Sequence, residues 1–208
     1  MMESNQFSEF VFWAREAGRY GLVKCSSGNL SQRSADQQVL ISASGSWLPV
    51  IDAAEVAVMD AGGEYAAGQP KPSGEYRLHL GILKARKEVN TVLHFQSPYA
   101  TALACRKTPP DYNVIIEIPI YIGKIVTLPF IQPGSPELAE AVARAAETAG
   151  LIQMSNHGQV VYGRDYKEVI QKAVFFELAC SVIVNAGVDV QYLSVEEQLK
   201  LSAYLKSR

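Results

Sequence analysis

The run Lys71-Pro-Ser-Gly-Glu75-Tyr-Arg-Leu-His79-Leu-Gly-Ile-Leu-Lys-Ala-Arg-Lys-Glu-Val-Asn90-Thr-Val-Leu-His94-Phe-Gln96 reads as a helix followed by a buried strand. Pro72, Ser73 and Gly74 form the helix entry, with Ser73 placed to cap it. Glu75 is then expected in the first turn and His79 one turn later on the same face. Thr91 to Gln96 is apolar and β-branched, and side chains two apart on a strand share a face, so His94 and Gln96 are expected to look into one pocket. Two of the chain's three histidines lie in this stretch. The third, His157, sits in Ser155-Asn156-His157-Gly158, a turn between the apolar runs Leu151 to Met154 and Gln159 to Tyr162. A lone histidine is ordinarily a packing or surface residue. Here every histidine keeps company with small and polar residues, and a glutamate stands at a helix start, which points to a metal site with a carboxylate base.

Working outward, Gln6 to Tyr20 reads as a helix with Phe10, Trp13, Ala14 and Ala17 at helical spacing. Cys25-Ser26-Ser27-Gly28-Asn29-Leu30-Ser31 turns tightly while offering hydroxyls, an amide and backbone N–H groups, which suits either an ordinary turn or an anion cradle. Val39 to Ser42 and Val56 to Met59 are short strands separated by a second such turn, Ala43-Ser44-Gly45, and Asp60-Ala61-Gly62-Gly63 is a hairpin-like turn. Beyond the quoted run, Ser97-Pro98 opens a helix, Val114 to Tyr121 and Lys124 to Leu128 are β-rich, and Ser135-Pro136-Glu137 starts a helix ending at Gly150. A helix over about Asp165 to Asn185 and a last one from a capping-box sequence at Ser194 to the chain end complete the pattern. Strands interspersed with helices predict an α/β fold, a three-layer α/β/α domain over residues 1–208. Several connections are too short for crossovers, so the sheet is expected to be mainly antiparallel.

Composition narrows the classes. With 208 residues, 48% of them hydrophobic, and a net charge of −2, the chain suits one globular domain with a sizeable core. No basic cluster with interleaved aromatics suggests nucleic acid. No uninterrupted apolar stretch is long enough for a bilayer and the N-terminus lacks signal-peptide features, so a soluble cytoplasmic protein is expected. Cys25, Cys105 and Cys180 form no Cys-x-x-Cys pair and are read as buried small hydrophobes.

Four motifs in register carry a resemblance: Ser27-Gly28-Asn29-Leu30-Ser31, Pro72-Ser73-Gly74-Glu75 with His79, Val92 to Ala102 around His94, and Asn156-His157-Gly158. In order and spacing this set is similar to the class II aldolase/adducin family, whose enzymes include fuculose-1-phosphate aldolase and ribulose-5-phosphate 4-epimerase, over roughly Phe10 to Gly187.

The resemblance implies a divalent metal, usually Zn2+, held by His94 and His157, with Glu75 as acid/base. The family's second strand histidine is replaced by Gln96, whose amide oxygen is a poorer zinc donor than imidazole. His79 is implied to stand behind the ligands or to pack. The substrate phosphate is implied to lie on Ser26, Gly28, Asn29, Ser44, Gly45, Ser73 and Gly74, a helix start being favourable for an anion. The implied reaction is cleavage of a small ketose phosphate through a metal-stabilised enediolate by an aldolase-type lyase. Epimerase, dehydratase and decarboxylase chemistry share that start, and a silent adducin-like assembly domain is the reading that Gln96 and Gly74 favour. A homotetramer with active sites between subunits is implied as well.

Overall fold

The computed structural model describes residues 2–204. Helix α1 spans Met2–Arg19, and strands β1 (Asn29–Arg33), β2 (Val39–Ser42) and β3 (Val56–Met59) follow. Then come α2 (Tyr76–Ala85), β4 (Thr91–Phe95), α3 (Pro98–Ala104), β5 (Ile125–Leu128), α4 (Pro136–Ala146), β6 (Leu151–Met154), β7 (Gly158–Gly163), α5 (Tyr166–Ala186) and α6 (Val195–Tyr204). The expected continuation of α6 falls on residues 205–208, outside the described residues.

The strands form one seven-stranded sheet in the order β3-β2-β1-β4-β7-β6-β5. Every pairing is antiparallel except β5 with β6, which are parallel and joined through α4, as a parallel pair requires. Alternation then divides the core. Leu30, Leu40, Leu93, Phe95, Leu151 and Val161 pack with α1, α3 and α5 on one face. Ile41, Val92, Ile152 and Val160 pack with α2 and α4 on the other. All five residues of β4 are buried because both faces of this central strand are covered. This is the three-layer α/β/α arrangement with a mainly antiparallel sheet.

Local expectations fare unevenly. Ser135 caps α4 through its side chain, accepting from the Leu138 N–H at 3.1 Å, and Ser194 with Glu197 forms the reciprocal cap of α6. Ser73 does not cap α2: Glu75 itself is the cap residue, outside the first turn, and its side chain makes no capping bond. Val114 to Tyr121 is not a strand but a set of turns entering a π-helical turn, Ile118–Ile122, packed against α5 and α6. Pro119 in that run has no N–H for a central ladder, which outweighs the β-branched composition. No strand follows β3 to make a hairpin at Asp60–Gly63. Cys25 and Cys105 are exposed, and Cys180 alone is buried as expected, because the first lies in a turn at φ +51° and the second at the end of α3. The segment Tyr166–Asp189 does reach the length and apolarity of a membrane span, with mean hydropathy 1.5. In this fold it lays Val169, Ala173, Phe176 and Cys180 into the core.

Candidate metal centre

The site forms where the Asn29–His94 cross-strand pair meets the start of α2. Asn29 and His94 alternate onto the α2 face of the sheet, opposite Leu30 and Leu93. Gly28 makes this approach feasible: at φ +92°, a Cβ on it would stand 2.7 Å from the His94 carbonyl oxygen. His157 arrives on the β6–β7 turn, which Asn156 closes in the left-handed conformation at φ +55°, a geometry asparagine tolerates. The Asn156 N–H donates to the Ala104 carbonyl at 3.0 Å, tying that turn to the end of α3.

Glu75 lies between the two imidazoles. Its Oε2 is 3.3 Å from His94 Nε2 and its Oε1 is 3.2 Å from His157 Nε2. All three donor atoms fit within 4.8 Å of one another. Ligand atoms about 2.0–2.2 Å from a tetrahedral cation sit about 3.4 Å apart, so the two shortest separations match a shared ion. The donor chemistry fits as well. His94 Nδ1–H donates to the Gln159 carbonyl at 2.9 Å, which leaves Nε2 as the bare nitrogen facing Glu75. His94 Nε2 and Glu75 Oε1 are buried with no hydrogen-bond partner. Buried orphans of this kind call for an ion or water between them.

Burial by itself would raise the Glu75 carboxyl, but the two imidazoles and the Asn29 amide outweigh it and hold it at about 2. Its place at the N-terminus of α2 favours the same ionised form. Burial pushes His94 below the ordinary imidazole range and His79 down to about 3. His79 therefore stays neutral in the fold while the unfolded chain takes up a proton there below about pH 6.5, and His94 shifts in the same direction. The unfolded state binds more protons in this window, so stability rises with pH there and is lost as pH falls from 6.5 toward 3. Glu75 adds in the same direction between its ordinary value and about 2. Metal-free protein is expected to lose about 2 kcal/mol from His79 alone between pH 7 and pH 5. Urea midpoints at the two pH values measure this, and equal midpoints would contradict it.

Of the other anticipated residues, Gly28, Asn29 and Ser73 meet the triad's residues directly. The turns 43–46 and 71–74 are joined by the Ala43–Pro72 bridge and by the Ser44 N–H donating to the Lys71 carbonyl at 2.8 Å. Ser44 thereby comes alongside Lys71 and Ser73 alongside Ser42, whose carbonyl accepts from the Ser73 N–H at 3.1 Å, and space is open beside Gly45 and Gly74. Ser73 is buried, and its hydroxyl accepts from the Glu75 N–H at 3.3 Å. Ser26 is exposed in its turn, while Ser27 closes that turn by accepting from the Lys24 N–H. Asn29 engages Glu75 and His79, at 3.1 and 2.5 Å. Gln96 lies just past the end of β4; its Cγ and His94 Cε1 both crowd Gly158, at 2.7 and 3.0 Å from where a Cβ would stand. Ser31 was not anticipated, although its place two residues after Asn29 on β1 puts it on the same face.

A carboxylate and two imidazoles converging on one point of a three-layer α/β sheet define a candidate divalent-cation site. The chain belongs to the Class II Aldolase and Adducin N-terminal domain family, whose model matches residues 8–184. It is 32% identical over 176 residues to 3-oxo-tetronate 4-phosphate decarboxylase of Haemophilus influenzae, covering 82% of this chain and 83% of that one. It is 33% identical over 169 residues to 5-methylthioribulose-1-phosphate/5-deoxyribulose-1-phosphate aldolase of Rhodospirillum rubrum, covering 79% and 73%. The structure of YgbL from Escherichia coli, whose description spans aldolase, epimerase and decarboxylase, superposes with a TM-score of 0.90 at 25% identity over 97% of this chain and 100% of that one. Class II aldolases are metal-dependent, and family members act on sugar phosphates and are often oligomeric.

Proposed function

We propose that this protein is a metal-dependent carbon–carbon lyase acting on a small phosphorylated sugar acid, with decarboxylation as its reaction. The observation that carries the lyase reading is the convergence of Glu75, His94 and His157 within 4.8 Å. The choice of decarboxylation is supported by the relatives named 3-oxo-tetronate 4-phosphate decarboxylase from Haemophilus influenzae, Pectobacterium atrosepticum and Escherichia coli. Aldol cleavage, first in order on the motifs alone, is the second reading, supported by the Rhodospirillum rubrum aldolase.

A divalent cation, Zn2+ in this proposal, held by His94 and His157 with Glu75 beside them, supplies positive charge for the oxygen anion that develops on the substrate. The bond to the departing carboxylate breaks, CO2 leaves, and its electron pair stays on the remaining carbon skeleton as an enediolate. That carbon must then gain one proton. Glu75 is placed to deliver it: ionised at rest, it takes a proton from solvent and gives it up within the site. His94 and His157 orient the carboxylate. Gln96 supplies an amide oxygen as a weaker additional donor. Hydroxyls and N–H groups of Ser26, Gly28, Asn29, Ser44, Gly45, Ser73 and Gly74 receive the phosphate, four of these lying on the two turns that the Ala43–Pro72 bridge joins. A cytoplasmic homotetramer completes the proposal.

The test is product analysis with zinc-loaded protein. 3-Oxo-tetronate 4-phosphate is expected to release CO2 and leave a phosphorylated triose, while L-fuculose 1-phosphate is not cleaved. Aldehyde from L-fuculose 1-phosphate without CO2 from the acid would instead select the aldolase reading.

A further inference from the structure

Behind the triad runs a chain of hydrogen bonds that the proposed chemistry does not itself require. Ser31 Oγ is 2.8 Å from His79 Nδ1, His79 Nε2 is 2.5 Å from Asn29 Oδ1, and Asn29 Nδ2 is 3.1 Å from Glu75 Oε2. Ser31 and His79 are fully buried and Asn29 is 6% exposed. The chemistry of the two ends fixes the direction of every link. An ionised carboxylate only accepts, so Asn29 turns its amide nitrogen toward Glu75 and its oxygen toward His79. An amide oxygen also only accepts, so His79 carries its hydrogen on Nε2. A neutral imidazole has a single N–H, so Nδ1 is bare and the Ser31 hydroxyl must donate to it.

We infer that Ser31 and His79 are positioning residues that lock the Asn29 amide with its nitrogen toward Glu75, and so hold the plane of the Glu75 carboxylate against His94 and His157. Asn29 has two amide hydrogens. One is held by Glu75 and the other is left for substrate, so the group that meets the substrate also steers the proton carrier. This consequence rests on the proposed lyase reading; the lock itself does not. Without His79, the Asn29 amide is free to rotate, presenting its oxygen to the carboxylate and repelling it.

Two measurements test the lock. In metal-free protein labelled with 15N-histidine, long-range proton–nitrogen correlation reads each ring's tautomer, and with three histidines in the chain the His79 signals are assigned by their loss in His79→Gln. The expected state is neutral His79 with its hydrogen on Nε2; a hydrogen on Nδ1 would overturn the inference. Zn2+ affinity by chelator competition is the second readout. His79→Phe, which keeps the volume but not the hydrogen bond, and Ser31→Ala are expected to weaken binding about 10-fold, while His79→Gln, whose amide can still donate to Asn29, recovers most of the loss. Unchanged affinity in folded Ser31→Ala, or a His79→Gln no better than His79→Phe, would also overturn it. If the wild-type chain takes up no Zn2+, the lyase proposal falls while the tautomer spectrum still decides the lock.

Discussion

Glu75→Gln is expected to lower turnover by about 10²–10⁴-fold at saturating Zn2+, the range that a positioned proton-transfer group supplies. The substitution preserves size and shape, so the fold survives, but an amide neither carries the proton nor accepts at both oxygens. An NH2 in place of Oε2 would meet the Asn29 amide nitrogen at 3.1 Å, donor against donor, and one in place of Oε1 would withdraw the oxygen that now stands 3.2 Å from His157 Nε2. Metal affinity falls too, which is why the comparison is made at saturating metal. Initial rates for the purified variant and the wild type, with circular dichroism to confirm folding, measure the effect. A variant retaining half the wild-type rate would remove Glu75 from the proton path.

Glu177→Ala is expected to destabilise the protein by about 2–4 kcal/mol without touching the metal centre. Helix α3 begins at Pro98, and its cap residue Ser97 makes no capping bond of its own. Glu177, on the neighbouring α5, closes that end: it accepts from the Ser97 hydroxyl at 2.6 Å, the Tyr99 N–H at 2.9 Å and the Ala100 N–H at 2.8 Å. A carboxylate on the positive end of a helix is favoured electrostatically, and hydrogen bonds to a charged group contribute about 1.5–3 kcal/mol each before the flexibility of a partly exposed site is discounted. Removing it leaves two helix donors and a hydroxyl of the α3 start without partners. The contrast is the Lys200–Glu196 pair at 2.7 Å, whose side chains are 73% and 78% exposed, so that Lys200→Ala changes stability by less than about 0.5 kcal/mol. Urea unfolding of the two variants measures the difference, and equal midpoints would contradict this ranking.

How much of this was legible in the sequence differs from residue to residue for physical reasons. Glu75, His94 and His157 were readable because each lies in a short local pattern: a helix start, a buried strand and an Asn-His-Gly turn. What the pattern did not show is that Glu75 stands just outside α2, where its carboxylate turns to the imidazoles and not to the helix N–H groups. The resemblance offered His79 either a place behind the metal site or a packing role; the structure bonds it to Asn29 and Ser31, and the Ser31 contact depends on strand register, Asn29 opposite His94 and Ser31 opposite Val92, which no local propensity encodes. Glu177 was missed for the same reason: a cap supplied 80 residues away leaves no mark beside the helix it closes. The run from Val114 to Tyr121 was misread because β-branched composition is shared by strands and by packed irregular segments, and Pro119 was the signal that separates them. The layered α/β/α architecture was legible because alternation between apolar strands and amphipathic helices is a property of the whole chain and survives one wrong segment.

A single cation is expected to be held jointly by β4, the β6–β7 turn and the start of α2. Zinc binding to metal-free protein, followed by chelator competition for the wild type and for His157→Ala, tests it most directly. The expected result is one ion per chain in the wild type and affinity lowered at least about 100-fold in the variant. Zinc uptake that is equally tight without His157, or no uptake by the wild type, would contradict it.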